Sequence, residues 1–319
     1  MSDATGFFAA SFLLGLLKTM LFKNIVPYRL PANCAVQAED LEIKLSRDPL
    51  QACGGLQMES RGWTHPHEDE TYLFQLQQQW LLCLGVEQKL LPSSIIRQHT
   101  EDRAAHIALR QGHPVGRKQL RDLKEQVTGE LLPRALARRR LTHAWIDRAH
   151  GWLMVDAAAD TRAEQFMEVL RRAEDDLSAT RVETQRTPAA CMAAWLAQGS
   201  APNGFSIDQD LELRAADHSR ATVRYSRHSL EGEEIRGHLA GGKTVVRMGL
   251  TWNDKISFVL TEHLQIKRVV FLDILRRESD AELEDPHAQF AVDFALMSGE
   301  LARMFADLMT ALGGEKAPA

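Results

Sequence analysis

Apolar and polar positions alternate between two periods along this chain, and the changes of period mark its elements. Phe22 to Leu30 reads as a strand. Ala38 to Ser46 reads as a helix, with Leu41 and Leu45 four residues apart on one face. Residues 51–70 are rich in Gly, His and acids and read as loop, and residues 72–86 as strands with a turn. Pro92-Ser93-Ser94 opens a helical stretch to about Arg110, residues 112–116 break it, and a second helix is predicted from Arg117 to about Arg140. Two long helices joined by a short turn would project as an arm. Strands are expected at 142–147 and 152–156, then a helix at 160–177. Thr187-Pro188 supplies a cap and first turn for a helix through Gln198. Short strands near 205–213 and 221–226 precede a helix at 231–240, which Gly241-Gly242 ends. Strands follow at 243–252, 255–261 and 265–272. Asp285-Pro286 starts a long terminal helix whose buried side is expected to be Phe290, Phe294, Met297, Leu301, Met304, Phe305 and Leu308.

Strands and helices without regular βαβ alternation predict an α+β architecture of mixed or antiparallel sheets, with a projecting helical arm and a long C-terminal helix. The expected organisation is an extension (1–19), an N-terminal α+β part (20–91), the arm (92–141), a central α+β region (142–200) and a C-terminal α+β region (201–319). Residues 6–17 are apolar but too short to span a bilayer, and the leading segment has no Lys or Arg. Residues 1–19 read as an upstream extension or disordered tail, with a membrane-surface helix as the rival. Four cysteines without a CxxC pair read as reduced thiols of a cytoplasmic protein.

Charge changes this picture. The net charge of −5 hides an uneven distribution. Arg117–Arg148 holds nine Lys/Arg against four Asp/Glu, and Asp273–Ala319 holds four against ten. Arg117, Lys118, Arg121 and Lys124 fall at helical spacing on one face, with Leu120, Leu123, Val127 and Leu131 supplying an apolar side. Such a stripe is either a solvated surface or a phosphate-contacting one. GHLAGGKT (237–244) satisfies the phosphate-loop letters, with Lys243 and Thr244 in the phosphate and magnesium positions. Its order of helix then strand is the reverse of what that motif needs, so the glycines read as a helix end. His65-x-His67 followed by three acids lacks further ligands at recognisable spacing and reads as a polar loop. No metal site, cofactor or small-molecule substrate is expected, and no catalytic motif argues for an enzyme.

MLFKNIVPYRL from Met20, KLLPSSIIR, LLPRALARR, WIDRAHGWLMVDAA and DFALMSGELARMFADLMTALGGE, in this order and spacing, resemble the recombination-associated protein RdgC family over about residues 20–314. The resemblance implies a non-enzymatic homodimer closed into a ring around double-stranded DNA. It would bind with little sequence preference, associate with the nucleoid and antagonise the RecA recombinase. The candidate DNA contacts are Arg97, Arg117, Lys118, Arg121, Lys124, Arg138, Arg139, Arg140, Arg224, Arg227, Lys243 and Arg247. Leu136 stands where the family's LLPRAF has an aromatic residue and is the candidate for the dimer contact. The alternatives are a scaffold acting directly on recombination proteins, or a nucleotide hydrolase using Lys243.

Overall fold

A computed structural model describes residues 22–32, 34–67, 71–202, 204–217, 219–230, 232–272 and 285–316. The proposed extension at 1–19 lies outside them. Contacts divide the chain into two compact units. Of the described residues, one unit comprises those within 22–36, 74–81 and 143–316; the other comprises those within 37–67, 71–73 and 82–142. The chain runs β1 (Asn24–Arg29), α1 (Ala38–Leu45), β2 (Glu59–Thr64), β3 (Leu73–Leu76), β4 (Gln79–Lys89), α2 (Ser93–Gln111), α3 (Arg117–Leu131), β5 (Ala137–Asp147) and β6 (Trp152–Val155). It continues through α4 (Asp160–Ala173), β7 (Thr180–Arg181), α5 (Pro188–Gln198), β8 (Phe205–Ala215), β9 (Thr222–Tyr225), α6 (Glu233–Ala240), β10 (Lys243–Trp252), β11 (Ile256–Thr261), β12 (Ile266–Phe271) and α7 (Pro286–Ala311). The α+β expectation holds, with antiparallel pairing of β1 with β6, β7 and β12, of β2 with β4, of β5 with β6, of β8 with β9 and β10, and of β11 with β10 and β12.

In the larger unit the strand order is β5-β6-β1-β12-β11-β10-β8-β9. One face of this sheet carries Leu213, Leu250, Phe258 and Ile266 into a core shared with Trp195 of α5 and with Phe294, Met297, Leu301, Met304, Phe305 and Leu308 of α7. Phe290, expected to be buried, is only half-buried and meets Phe74 edge-on at 4.8 Å. Both capping signals fold as read: Thr187 accepts from the Ala190 N–H at 3.3 Å, and Asp285 from the His287 N–H at 3.0 Å. Phe305 fills the core against Trp152 at 5.0 Å.

The signature WIDRAHGWLMVD forms the β5–β6 hairpin, and its polar residues are structural. Asp147, with no exposed side chain, accepts from Gln79 Nε2 (3.1 Å), the His150 N–H (3.2 Å) and His150 Nδ1 (2.7 Å). The Arg29 guanidinium lies 3.5 Å over the Trp152 ring and pairs with Glu315, tying the end of the described chain to β1.

His143 of β5 gives a pH prediction. Burial pushes its imidazole down to about 4, although the residue as a whole keeps partial exposure. An unfolded imidazole protonates near pH 6.5, so between about pH 6.5 and 4 the unfolded state binds more protons. Stability is therefore complete above that window and falls as pH drops through it. Urea midpoints at about pH 7 and 5 should separate more for the parent than for His143→Gln. Equal separations would show that His143 carries none of the effect.

In the smaller unit β2 pairs β4, and β4 pairs β5. Residues 59–64, expected as loop, are a strand because Gly62 lets the chain press against its neighbour. A Cβ there would lie 2.5 Å from the Pro49 carbonyl carbon and the Leu50 nitrogen. Gly85 faces it across the ladder. Lys89 is buried and satisfied, donating to the carbonyls of Gly55 and Leu132 at 3.0 Å each.

Candidate nucleic-acid interface

The arm is built as the spacing predicts, in its first part. Helix α2 ends at Gly112, whose φ of +74° suits glycine, and α3 begins after Gly116. The two helices pack together and bury Ile96 and Thr100 from one, Leu123 and Val127 from the other. Leu120 and Leu131 are less enclosed than the apolar stripe suggests, Leu120 being 42% exposed. Arg103 of α2 clamps Glu130 of α3 with both nitrogens. That pairing raises the Arg103 pKa and lowers that of Glu130.

With Glu130 occupied, Arg117, Lys118, Arg121 and Lys124 stand exposed and make no ion pair with any described residue. Arg117 and Lys118 lie in the first turn of α3, which contains no acid. The helix dipole disfavours cations there by a few tenths of a kcal/mol each. Positions that break a local rule in this way are expected at functional or strained sites. Arg97, on α2, is exposed and only 3.9 Å from Glu101.

The expectation that Arg138, Arg139 and Arg140 continue the α3 helix is wrong. Pro133 lacks the N–H that a continuing helix requires, so α3 stops at Leu131. A short 3₁₀ turn, Leu132–Arg134, follows, and Ala135 is extended. The arginines then enter β5, where successive side chains alternate. Arg139 pairs with Glu87 of β4 at 3.2 Å and Arg140 reaches Gln88 at 3.4 Å. The Glu87 carboxyl sits below its ordinary range, first through the Cys53 N–H and then through Arg139. Arg138 is exposed and forms no ion pair with a described residue. Leu136, in the bend before β5, is 78% exposed.

The four remaining candidates belong to the larger unit. Arg224 is exposed on β9, and Arg227 lies just past it with a φ of +53°. Lys243 opens β10, its ammonium 3.1 Å from His238 Nδ1. GHLAGGKT therefore runs helix, turn, strand, and a strand rather than a helix follows its glycines. Arg247 of β10 is 3.6 Å from Glu212. Arg224 and Arg247 line a cleft together with Lys267 and Arg268 of β12, two cations that the sequence reading missed. Burial, then Arg247, holds the Lys267 pKa below its usual value.

His65 packs edge-on to Tyr72 at 4.5 Å, and the acids after His67 lie outside the described residues. Among the described residues, no group of three or more His, Cys, Asp and Glu is placed to hold a metal ion. Nor is any helix among them long and apolar enough to cross a membrane.

These features define an α+β protein with exposed cations on a helical arm and clustered cations on a sheet face. The chain belongs to the RdgC family: the family model described as "Putative exonuclease, RdgC" matches residues 20–315. The recombination-associated protein RdgC of Dechloromonas aromatica is 48% identical over 299 residues, covering 93% of this chain and 98% of its own. Those of Janthinobacterium sp. (strain Marseille) and Burkholderia ambifaria are 46% and 45% identical, covering 93% of this chain and 99% and 97% of theirs.

Proposed function

We propose that this protein holds duplex DNA without regard to sequence, as a two-fold dimer closed around the double helix, and that it thereby restrains RecA-dependent recombination. The carrying observation is the exposed row Arg117, Lys118, Arg121 and Lys124 on one face of α3, which makes no ion pair among the described residues. Phosphate contacts of this kind position a protein but read no bases. All six tryptophans are buried, so none offers a stacking platform for unpaired bases. This favours duplex backbone over single strands. The family's relatives carry recombination in their names, which supports the pathway. Two-fold symmetry would double each cationic patch and aim both copies at one passage. Leu136 is the proposed dimer contact, and a location on the nucleoid follows from occupying DNA.

The reading contains no catalytic step, in contrast to the exonuclease of the family description. The test is a mobility-shift series on labelled duplexes of unrelated sequence, with magnesium present. Equal shifts that vanish at high salt, with full-length DNA recovered, are expected. Sequence-dependent shifts would overturn the non-specific reading, and shortened strands would replace holding by degradation.

A second reading, a scaffold that contacts recombination proteins directly, has one observation in its favour. The smaller unit exposes several large apolar side chains, Ile95, Leu109 and Leu136 among them. Capture of RecA after nuclease treatment would favour it.

A further inference from the structure

The strand sequence IKRVVF (266–271) cannot keep its alternation and its core together. Strict alternation from Ile266 would turn Lys267 outward, Arg268 inward and Val269 outward. Instead Ile266, Val269 and Phe271 are buried while Lys267 is half-buried and Arg268 exposed. A bulge resolves the conflict. Three steps of β12, from Lys267 to Val270, face two steps of β11, from Val259 to Ser257. Arg268 takes the extra place with a φ of +53°, a conformation that side-chain-bearing residues rarely adopt. The result is two consecutive cations on the same side of one strand.

Their surroundings are cationic as well. Glu212 of β8 is paired with Arg224 on one side and Arg247 on the other. Val259 brings Lys267 onto that same face. The cleft is lined by Arg224, Arg247, Lys267 and Arg268 against Asp210 and Glu212, an excess of two positive charges. Asp210 accepts from Ser226 Oγ at 2.7 Å, and Glu212 is engaged at 3.6 Å by Arg247. Neither Arg224 nor Arg268 has an ion-pair partner among the described residues. Burial first and then Arg247 lower the Lys267 pKa, while Asp160 raises it; a bound anion would offset the repulsion by Arg247.

The geometry points to a phosphate clamp on this sheet face, in which Lys267 and Arg268, presented by the bulge beside Arg224 and Arg247, grip a phosphodiester group of the DNA backbone. It rests on the DNA-holding reading and adds a second contact surface to the arm. Guanidinium groups suit a phosphate because their fixed donors match its oxygens two at a time, and the ammonium adds a point charge. The bulge fixes the backbone positions from which these two side chains project.

The test replaces Arg268 by glycine, which adopts the same backbone conformation without strain, together with Lys267→Gln. Anisotropy of a labelled duplex of arbitrary sequence is followed against salt for the full-length parent, Arg268→Gly alone and the double variant. The double variant should bind about tenfold more weakly, and its log–log salt slope should be shallower by about 0.9 for each phosphate that the variant no longer neutralises. Arg268→Gly alone should give a smaller change in the same direction, and both should melt with the parent. If the variants match a parent that binds with a steep salt dependence, the clamp is wrong and the arm reading stands. If the parent shows no salt-dependent duplex binding, the DNA-holding reading falls and takes the clamp with it.

Discussion

Replacing three arm cations together, Arg117→Glu, Lys118→Glu and Arg121→Glu, is expected to weaken duplex binding by about a thousandfold or more at about 0.1 M salt, equally for every sequence. Each phosphate neutralised by a side chain releases counterions and contributes about −0.9 to the log–log salt slope. Three positions in each of two subunits would remove about five units of that slope and put repulsion in its place. Folding should be unharmed. All three side chains are exposed and make no ion pair with any described residue, and the buried Leu123 and Val127 are untouched. Acids in the first turn of α3 also complement the helix dipole, so the variant should melt no lower than the parent. Binding and stability therefore separate cleanly. A variant that binds as tightly as the parent, with the same salt slope, would remove the arm as the contact surface.

Asp147→Ala should show the opposite pattern, a large loss of stability with little direct effect on DNA. The carboxylate is wholly buried and accepts three hydrogen bonds, one from the side chain of Gln79 and two from His150. Truncation leaves the Gln79 amide without its acceptor and loosens the turn that joins β5 to β6. Loss of hydrogen bonds to a buried charged group costs about 3 kcal/mol. At about 2–4 °C per kcal/mol for a unit of this size, the melting temperature should fall by about 6–12 °C. Asp147→Asn keeps an oxygen acceptor in place and should recover part of the loss. DNA affinity measured well below the transition should stay near the parent's. A melting curve superimposable on the parent's would show that the carboxylate does not hold the hairpin. A loss of DNA binding by a folded variant would instead give the signature a direct role.

The sequence resolves most of the elements and part of the site. The helix caps at Thr187-Pro188 and Asp285-Pro286, the break between α2 and α3, and the helix end at Gly241-Gly242 all depend on a few adjacent residues. The stripe from Arg117 to Lys124 was legible for the same reason, because helical spacing alone puts those residues on one face. Three features were not legible. The arginines after Leu136 look like more of the same helix until Pro133 is given its full effect and β4 is there to pair with them. The strand at 59–64 looks like loop because what makes it a strand is Gly62 lying against Pro49 and Leu50, more than ten residues away. Lys267 and Arg268 look like one inward and one outward side chain until the register against β11 inserts a bulge.

The sequence by itself determined the family, the order of most helices and strands, and the cationic face of α3. All of these are written in short-range periodicity or in motifs read in order. Only the tertiary structure decided which charges remain available. Glu130 is taken by Arg103, Glu87 by Arg139 and Glu212 by Arg247, whereas the cations at the start of α3 and Arg268 on its bulge have no such partner among the described residues. The physical reason is that an ion pair or a strand register forms between residues 27 to 52 positions apart, or across neighbouring strands. No local spacing specifies those distances, and the fold supplies them.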